Sequence, residues 1–133
     1  MVSSFPRYRP MPKTYGARHM FTLDDLAETI ARRAEASAEQ SYTRSLLDGG
    51  AAHCARKFGE EAIELAIAAA AQDENAVRAE AADVLYHLLV VLCVRGVSLS
   101  SVMRELESRA GRSGHDEKAS RKADVAGAGL KQG

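Results

Sequence analysis

Proline is confined to one end of this chain. All three prolines of the 133-residue sequence, Pro6, Pro10 and Pro12, lie within the first twelve residues. Proline interrupts helices because it lacks an amide hydrogen and its ring clashes with the preceding turn. From residue 13 onward no proline stops helix formation, and apolar residues recur there at spacings of three and four. The sequence therefore predicts an all-α fold.

The small size of the apolar side chains restricts how such helices can pack. Apolar residues make up 46% of the chain, but alanine dominates them, aromatic residues reach only 5% and tryptophan is absent. Small side chains fill little volume, so the helices must approach closely, and a chain of this length forms one modest core. We therefore predict a short four-helix bundle completed by dimerisation.

Capping residues, glycines and apolar periodicity predict the four helices. Thr22 can cap the first helix with Asp25 as its capping-box partner, and this helix is predicted to end near Glu39. A polar loop at residues 40–44 and a break at Gly49-Gly50 are expected next. The other helices are predicted over residues 51–72, from the cap Asp73 to Arg95, and from the cap Ser98 to about Gly111.

The last three helices carry apolar stripes that we expect to face the core. These stripes consist of Ile63, Ala66, Ile67 and Ala70 on the second helix, Val77, Ala81, Val84, Leu85, Leu88 and Leu92 on the third, and Leu99, Val102, Met103 and Leu106 on the fourth.

Charge is segregated along the chain although the formal net charge is zero. Residues 1–20 are basic and are predicted to be a disordered extension. Met20 is an alternative start of the protein, in which case residues 1–19 lie upstream of it. Residues 21–111 form the predicted acidic domain, and residues 112–133 a basic tail that is either disordered or substrate-binding. A nucleic-acid binder is not expected, because no long basic face is present.

The cysteines and the hydropathy bear on cellular location. Cys54 and Cys93 lie within helical patterns without a CxxC motif, which favours reduced thiols in a cytoplasmic protein. No apolar run is long enough to cross a membrane, and the N-terminus lacks the apolar stretch of a secretory signal. We therefore expect a cytoplasmic protein with no membrane partner.

Two acidic clusters mark the predicted second and third helices. They read Lys57-Phe58-Gly59-Glu60-Glu61-x-x-Glu64 and Glu80-x-x-Asp83-x-x-Tyr86-His87. At about 100° per residue, each cluster occupies an arc at the rim of the apolar stripe, so antiparallel packing would bring the two arcs together. Crowded carboxylates repel one another, and a divalent cation relieves that repulsion. A magnesium-dependent enzyme acting on a phosphate ester or anhydride is the leading hypothesis.

The EExxE cluster and His87 each have a simpler, structural interpretation. EExxE alone is common on a solvated helix face, and Lys57 can pair with Glu61 four residues later. His87 beside a packed face is most often a core histidine with one hydrogen bond. The two clusters together, on neighbouring helices at the core rim, favour a functional site.

The motifs resemble those of one known family, the phosphoribosyl-ATP pyrophosphatases of histidine biosynthesis. These enzymes belong to the all-α, MazG-type nucleoside triphosphate pyrophosphohydrolases. The central signature resembles Lys57–Glu64 and Glu80–His87, and Ser41-Tyr42-Thr43 with Leu46-Leu47 resembles the family's first loop. Ser113-Gly114-x-x-Glu117-Lys118-x-x-Arg121 resembles its C-terminal stretch. Residues 1–20 match no part of the family pattern, and the absence of a cyclohydrolase domain implies a stand-alone form.

The resemblance implies hydrolysis of phosphoribosyl-ATP to phosphoribosyl-AMP and pyrophosphate by water activated by Mg²⁺, in a homodimer. Catalytic roles fall on Glu61, as general base, and Lys57. The candidate magnesium ligands are Glu60, Glu61, Glu64, Glu80 and Asp83. The candidate substrate-binding residues are Ser41, Tyr42, Thr43, Lys57, His87, Arg112, Ser113, Lys118 and Arg121.

Three alternative functions compete with the hypothesis of a phosphoribosyl-ATP pyrophosphatase. A house-cleaning pyrophosphatase acting on deoxynucleoside triphosphates would share the metal site and differ in the loop and tail. A non-catalytic helical protein would use the acidic arc to dock a basic partner. A di-iron or di-manganese bundle requires Glu-x-x-His on two helices, a motif that this sequence lacks.

Overall fold

The structure is a computed structural model that describes residues 10, 14–16, 18–111 and 121–125. Its elements are β1 (Thr14–Tyr15), β2 (Arg18–His19), α1 (Leu23–Ala34), α2 (Tyr42–Asp48), α3 (Gly50–Ala71), α4 (Glu74–Val94) and α5 (Leu99–Ala110). A short helical segment also covers residues 121–125. The two-residue strands pair antiparallel around Gly16, whose φ of +64° suits glycine. The all-α class is confirmed.

Side-chain capping sets the starts of α1, α4 and α5, as predicted. The Thr22 hydroxyl accepts a hydrogen bond from the Asp25 amide at 3.2 Å, and the Asp25 carboxylate accepts one from the Thr22 amide at 2.7 Å. The side chains of Asp73 and Ser98 likewise accept from amides three residues on, at 2.9 and 3.2 Å. Each cap satisfies an amide that the helix itself leaves without a partner.

The prediction of a loop between the first two helices is wrong. Residues 42–48 form the additional helix α2, and α1 ends at Ala34 rather than near Glu39. Ser41 caps α2 by accepting the amide hydrogen of Arg44 at 3.2 Å. The Arg44 guanidinium in turn donates to the carbonyl oxygen of Ala34 at 2.8 Å, which satisfies the end of α1. The described domain therefore has five helices, α1–α5, instead of four.

The core joins the first four helices. Its buried members are Ile30 of α1, Leu46 of α2, Cys54 of α3, and Leu89 and Val90 of α4. The hairpin of α3 and α4 is the most extensive helix pair, and α1 and α2 pack across it. Within the described residues α5 contributes no buried side chain, although Leu99 at its start packs against the core. The bundle is thus built around the helix pair that carries the acidic clusters.

Several residues of the predicted core stripes face solvent in the single chain, so that part of the prediction is wrong. Ile63 and Ile67 of α3 are 63% and 52% exposed, and Leu85 of α4 is 41% exposed. Both helices carry apolar residues on more than one face, so periodicity does not decide which face packs inward. The exposed members of the predicted stripes are Ile63, Ala66, Ile67, Ala70, Leu85, Met103 and Leu106.

Among the described residues, no single helix has the length and apolar content to cross a membrane. Only α4 and α5 taken together would qualify on those criteria, and they meet at a bend of 111°. Cys54 is a buried free thiol and Cys93 a half-buried one.

Candidate active site

The hairpin brings together carboxylates from both acidic clusters. Glu61 and Glu64 of α3 and Glu80 of α4 each offer an oxygen atom, and the three oxygens lie within 4.8 Å of one another. Glu61 and Glu80 are half-buried, whereas Glu64 is exposed. Oxygens bound to one octahedral Mg²⁺ lie roughly 3 to 4 Å apart, given Mg–O distances of about 2.1 Å. The donor set therefore fits a hard divalent cation after a small contraction.

The electrostatics of this carboxylate cluster show crowding. Loss of solvent raises the pKa of Glu61, and the negative charges of Glu64, Asp83 and Glu80 raise it further. Loss of solvent likewise raises the pKa of Glu80, with the charges of Glu64 and Asp83 adding to the effect. Asp83 thus lies close enough to both groups to act on them. A site that disfavours its own ionised carboxylates has a clear electrostatic reason to attract a cation.

Glu60 lies apart from this cluster. Its carboxylate lies 3.2 Å from the Lys57 Nζ and 3.9 Å from the Arg56 Nε. Lys57 therefore pairs with the residue three positions on, rather than with Glu61 as the helical spacing allowed. The Lys57 side chain is 33% exposed and retains access to solvent. Of the five predicted ligands, the structure brings Glu61, Glu64 and Glu80 together with Asp83 nearby, and it pairs Glu60 with cations.

His87 is buried beneath the cluster, with only 5% of the residue exposed. Its Nε2 atom lies 3.9 Å from Oε1 of Glu61, and its Nδ1 atom is buried without a hydrogen-bond partner among the described residues. Burial lowers the pKa of His87, which favours the neutral imidazole. The Tyr86 ring contacts His87 edge-on, with ring centroids 5.1 Å apart.

The three predicted residues of the first loop occupy different environments. Ser41 is buried and caps α2, and Thr43 is buried with its hydroxyl 2.7 Å from the hydroxyl of Tyr86. Tyr42 is 59% exposed and stacks on Tyr86 with ring centroids 6.5 Å apart. Only Tyr42 of the three presents a large surface to a ligand. Tyr86 links this loop to His87.

The remaining predicted site residues belong to the C-terminal region. Arg112, Ser113 and Lys118 lie outside the described residues. Arg121 is exposed in the helical segment at residues 121–125.

An all-α bundle with facing acidic helices is the architecture expected of a MazG-type pyrophosphohydrolase. The family model for phosphoribosyl-ATP pyrophosphohydrolase matches residues 23–110, which span α1 to α5. The chain belongs to this family.

Curated relatives agree with this assignment. The phosphoribosyl-ATP pyrophosphatase 1 of Bradyrhizobium diazoefficiens is 58% identical over 102 residues, which cover 77% of this chain and 96% of that protein. The protein of the same name from Rhodopseudomonas palustris is 54% identical over 104 residues, covering 78% and 97%. The phosphoribosyl-ATP pyrophosphatase of Paracoccus denitrificans is 55% identical over 104 residues, covering 78% and 96%.

Proposed function

We propose that this chain is a hydrolase that converts phosphoribosyl-ATP to phosphoribosyl-AMP and pyrophosphate, a step of histidine biosynthesis. The observation that carries the proposal is the convergence of Glu61, Glu64 and Glu80 within 4.8 Å, inside the region that the family model matches. The names of the relatives support the substrate, and the carboxylate cluster supports metal-assisted chemistry at a phosphate anhydride.

Glu61, Glu64 and Glu80, with Asp83 nearby, are the residues that we assign to hold Mg²⁺, directly or through water. When bound, Mg²⁺ neutralises phosphate charge and makes water more acidic. Glu61 acts as the general base and takes a proton from the attacking water. The water oxygen forms a bond to the α-phosphorus while the bond to the bridging oxygen breaks, and pyrophosphate leaves.

Lys57 is the cation best placed to bind phosphate near this cluster. It lies on α3 one turn before Glu61, and its partner Glu60 is itself 48% exposed, so the ion pair is a surface pair of small net stability. A polyphosphate carries more charge than one carboxylate and competes well for such a lysine. Arg112, Ser113, Lys118 and Arg121 remain predicted phosphate contacts of the tail.

The decisive experiment measures pyrophosphate release from phosphoribosyl-ATP and from a panel of deoxynucleoside triphosphates, with and without Mg²⁺. We expect turnover of phosphoribosyl-ATP that requires Mg²⁺. Glu61→Gln and Glu80→Gln should each lower kcat by about 10²-fold or more. Glu74→Gln is the matched control, because Glu74 lies on α4 with an 86% exposed side chain paired with Arg78.

Two outcomes would contradict the proposal. Faster turnover of a deoxynucleoside triphosphate would favour the house-cleaning pyrophosphatase. Full activity of Glu61→Gln and Glu80→Gln, or activity that does not depend on any divalent cation, would remove the carboxylate site from the reaction.

We also propose that the active form is a homodimer, supported by the exposed apolar residues Ile63 and Ile67 on α3. Cytoplasmic location, and the lack of nucleic-acid or membrane partners, remain predictions from the sequence.

A further inference from the structure

His87 occupies an unusual position for a residue expected to bind substrate. Only 6% of its side chain is exposed, and the ring lies beneath the carboxylate cluster rather than at the surface. A side chain so buried has little access to a nucleotide. Its Nε2 atom instead faces Oε1 of Glu61 at 3.9 Å.

The hydrogen bonding of the ring leaves one atom unexplained. Nδ1 is buried without a partner among the described residues, and buried polar atoms are rarely left in that state. A neutral imidazole carries one proton, so one nitrogen donates and the other accepts. Because a carboxylate only accepts, the tautomer that suits Glu61 places the proton on Nε2. Nδ1 is then the acceptor, the role in which a missing partner is better tolerated than for a donor.

Burial and packing define the surroundings of the ring. Loss of solvent is the largest effect on the pKa of His87 and lowers it, Lys57 lowers it as well, and the charges of Asp83 and Glu60 raise it. The Tyr86 ring packs edge-on against the imidazole at an interplanar angle of 82°, and Tyr86 is itself held by the hydroxyl of Thr43. The imidazole is therefore held by packing, whereas the Glu61 side chain is 20% exposed.

We propose that His87 is a positioning residue, whose Nε2–H donates to Glu61 and orients that carboxylate toward the attacking water. This inference rests on the proposed function, in which Glu61 is the general base. The present separation exceeds an N–H···O hydrogen bond by about 1 Å, and catalytic hydrogen bonds are often long in unliganded enzymes and shorten when substrate binds. The partner that His87 serves is thus Glu61, not the nucleotide.

Two substitutions separate the roles of the two ring nitrogens. His87→Gln places an amide donor near the position of Nε2, and His87→Asn places one near Nδ1. We expect His87→Asn to lower kcat by roughly 10- to 100-fold, as for other groups that orient a catalytic ligand. The KM for phosphoribosyl-ATP should change little, and His87→Gln should recover most of the kcat.

A double-mutant cycle shows whether His87 acts through Glu61. In the Glu61→Gln background, His87→Asn should cause almost no further loss of kcat, because the group that it orients has been removed. Val90→Ala controls for packing: Val90 is fully buried on the same helix, so its truncation should lower Tm and leave kcat unchanged. An equal loss of kcat from His87→Asn in both backgrounds, or a loss expressed mainly in KM, would overturn the inference.

The wild-type protein provides a test that does not depend on variants folding. Imidazole ¹⁵N chemical shifts distinguish the two neutral tautomers, and we expect His87 to carry its proton on Nε2. A proton on Nδ1 would overturn the inference while leaving the proposed hydrolase activity intact. Conversely, an unimpaired Glu61→Gln variant would remove both the base and its orienting partner.

Discussion

The surroundings of two carboxyl groups in this protein shift their pKa values in opposite directions. The backbone amide of Thr22 lowers the pKa of Asp25, with help from the Thr22 hydroxyl and from His19. Loss of solvent raises the pKa of Glu61, and its acidic neighbours raise it further. Asp25 is thus stabilised as an anion for a structural purpose, whereas Glu61 is made more basic than an ordinary glutamate. That contrast distinguishes a helix cap from a crowded carboxylate cluster.

The raised pKa of Glu80 predicts a dependence of stability on pH in the absence of Mg²⁺. The folded protein holds this proton more tightly than the unfolded chain, so the stabilising contribution is fully present below the unfolded pKa, near 4.5. That contribution is lost as pH rises through the raised pKa of Glu80 in the folded protein. We therefore expect Glu80→Gln to gain Tm relative to wild type as pH increases from about 4 to 7.

Differential scanning calorimetry in the presence of a chelator provides the measurement. Glu74→Gln again serves as the control, because its carboxylate lies in an exposed ion pair with Arg78. Adding millimolar Mg²⁺ at pH 7 should raise the wild-type Tm and leave Glu80→Gln nearly unchanged. A wild-type Tm that does not respond to Mg²⁺ would count against a cation site.

Helical spacing alone predicted that acidic residues from two helices would meet. That inference required only a period of 3.6 residues and a short connection between α3 and α4. The pairing of Glu60 with Lys57 and Arg56 follows local spacings of three and four residues, but the same periodicity also allows Lys57 to pair with Glu61, and only the rotamers decide between the two. The burial of His87 beneath Glu61 depends on packing between α3 and α4, so no local pattern encodes it.

At the scale of elements, helix starts were more predictable than helix faces. Thr22, Asp73 and Ser98 cap their helices through hydrogen bonds to amides three residues away, so the signal is local. The short helix α2 was missed because its stability comes from burial of Thr43 and Leu46. A seven-residue helix is too short to be stable by itself, so tertiary contacts override its polar appearance.

Glycine in the middle of α3 leads to a prediction at this scale. Gly59 lies nine residues inside the helix start at Gly50, and a Cβ atom added there would meet nothing within 4 Å in the single chain. Alanine is favoured over glycine in a helix interior by roughly 0.5–1 kcal/mol. We expect Gly59→Ala to raise the free energy of unfolding by about that amount.

Chemical denaturation of wild type and Gly59→Ala measures this difference. Ala66→Gly, a reverse exchange at an exposed position of the same helix, should lower stability by a similar amount. A loss of stability in Gly59→Ala would mean that another chain approaches the helix backbone at this point.

At the scale of the whole molecule, the isolated chain leaves apolar surface on its longest helix. Ile63 and Ile67 lie one turn apart on α3 and are both more than half exposed. Burying such side chains is worth roughly 1.5–3 kcal/mol each. A partner that covers this position would therefore add to the apolar surface that the small core buries.

Ile67→Lys is therefore predicted to convert a homodimer into monomers and to lower Tm, because a buried lysine without a partner is strongly disfavoured. Sedimentation equilibrium at several protein concentrations measures the change. Gln40→Lys, which adds the same charge at an exposed position in the α1–α2 connection, should remain dimeric. A monomeric wild-type protein, or a dimeric Ile67→Lys variant, would contradict the predicted interface.

The crowding of Glu61, Glu64 and Glu80 also has a consequence for protein engineering. Substitutions chosen only for heat tolerance would tend to remove negative charge from these positions, because repulsion there is a local source of instability. The same substitutions would remove the groups on which the proposed hydrolysis depends. Thermostable variants selected without an activity screen should therefore accumulate changes at the acidic helix pair, and a library that preserves function must hold those positions constant.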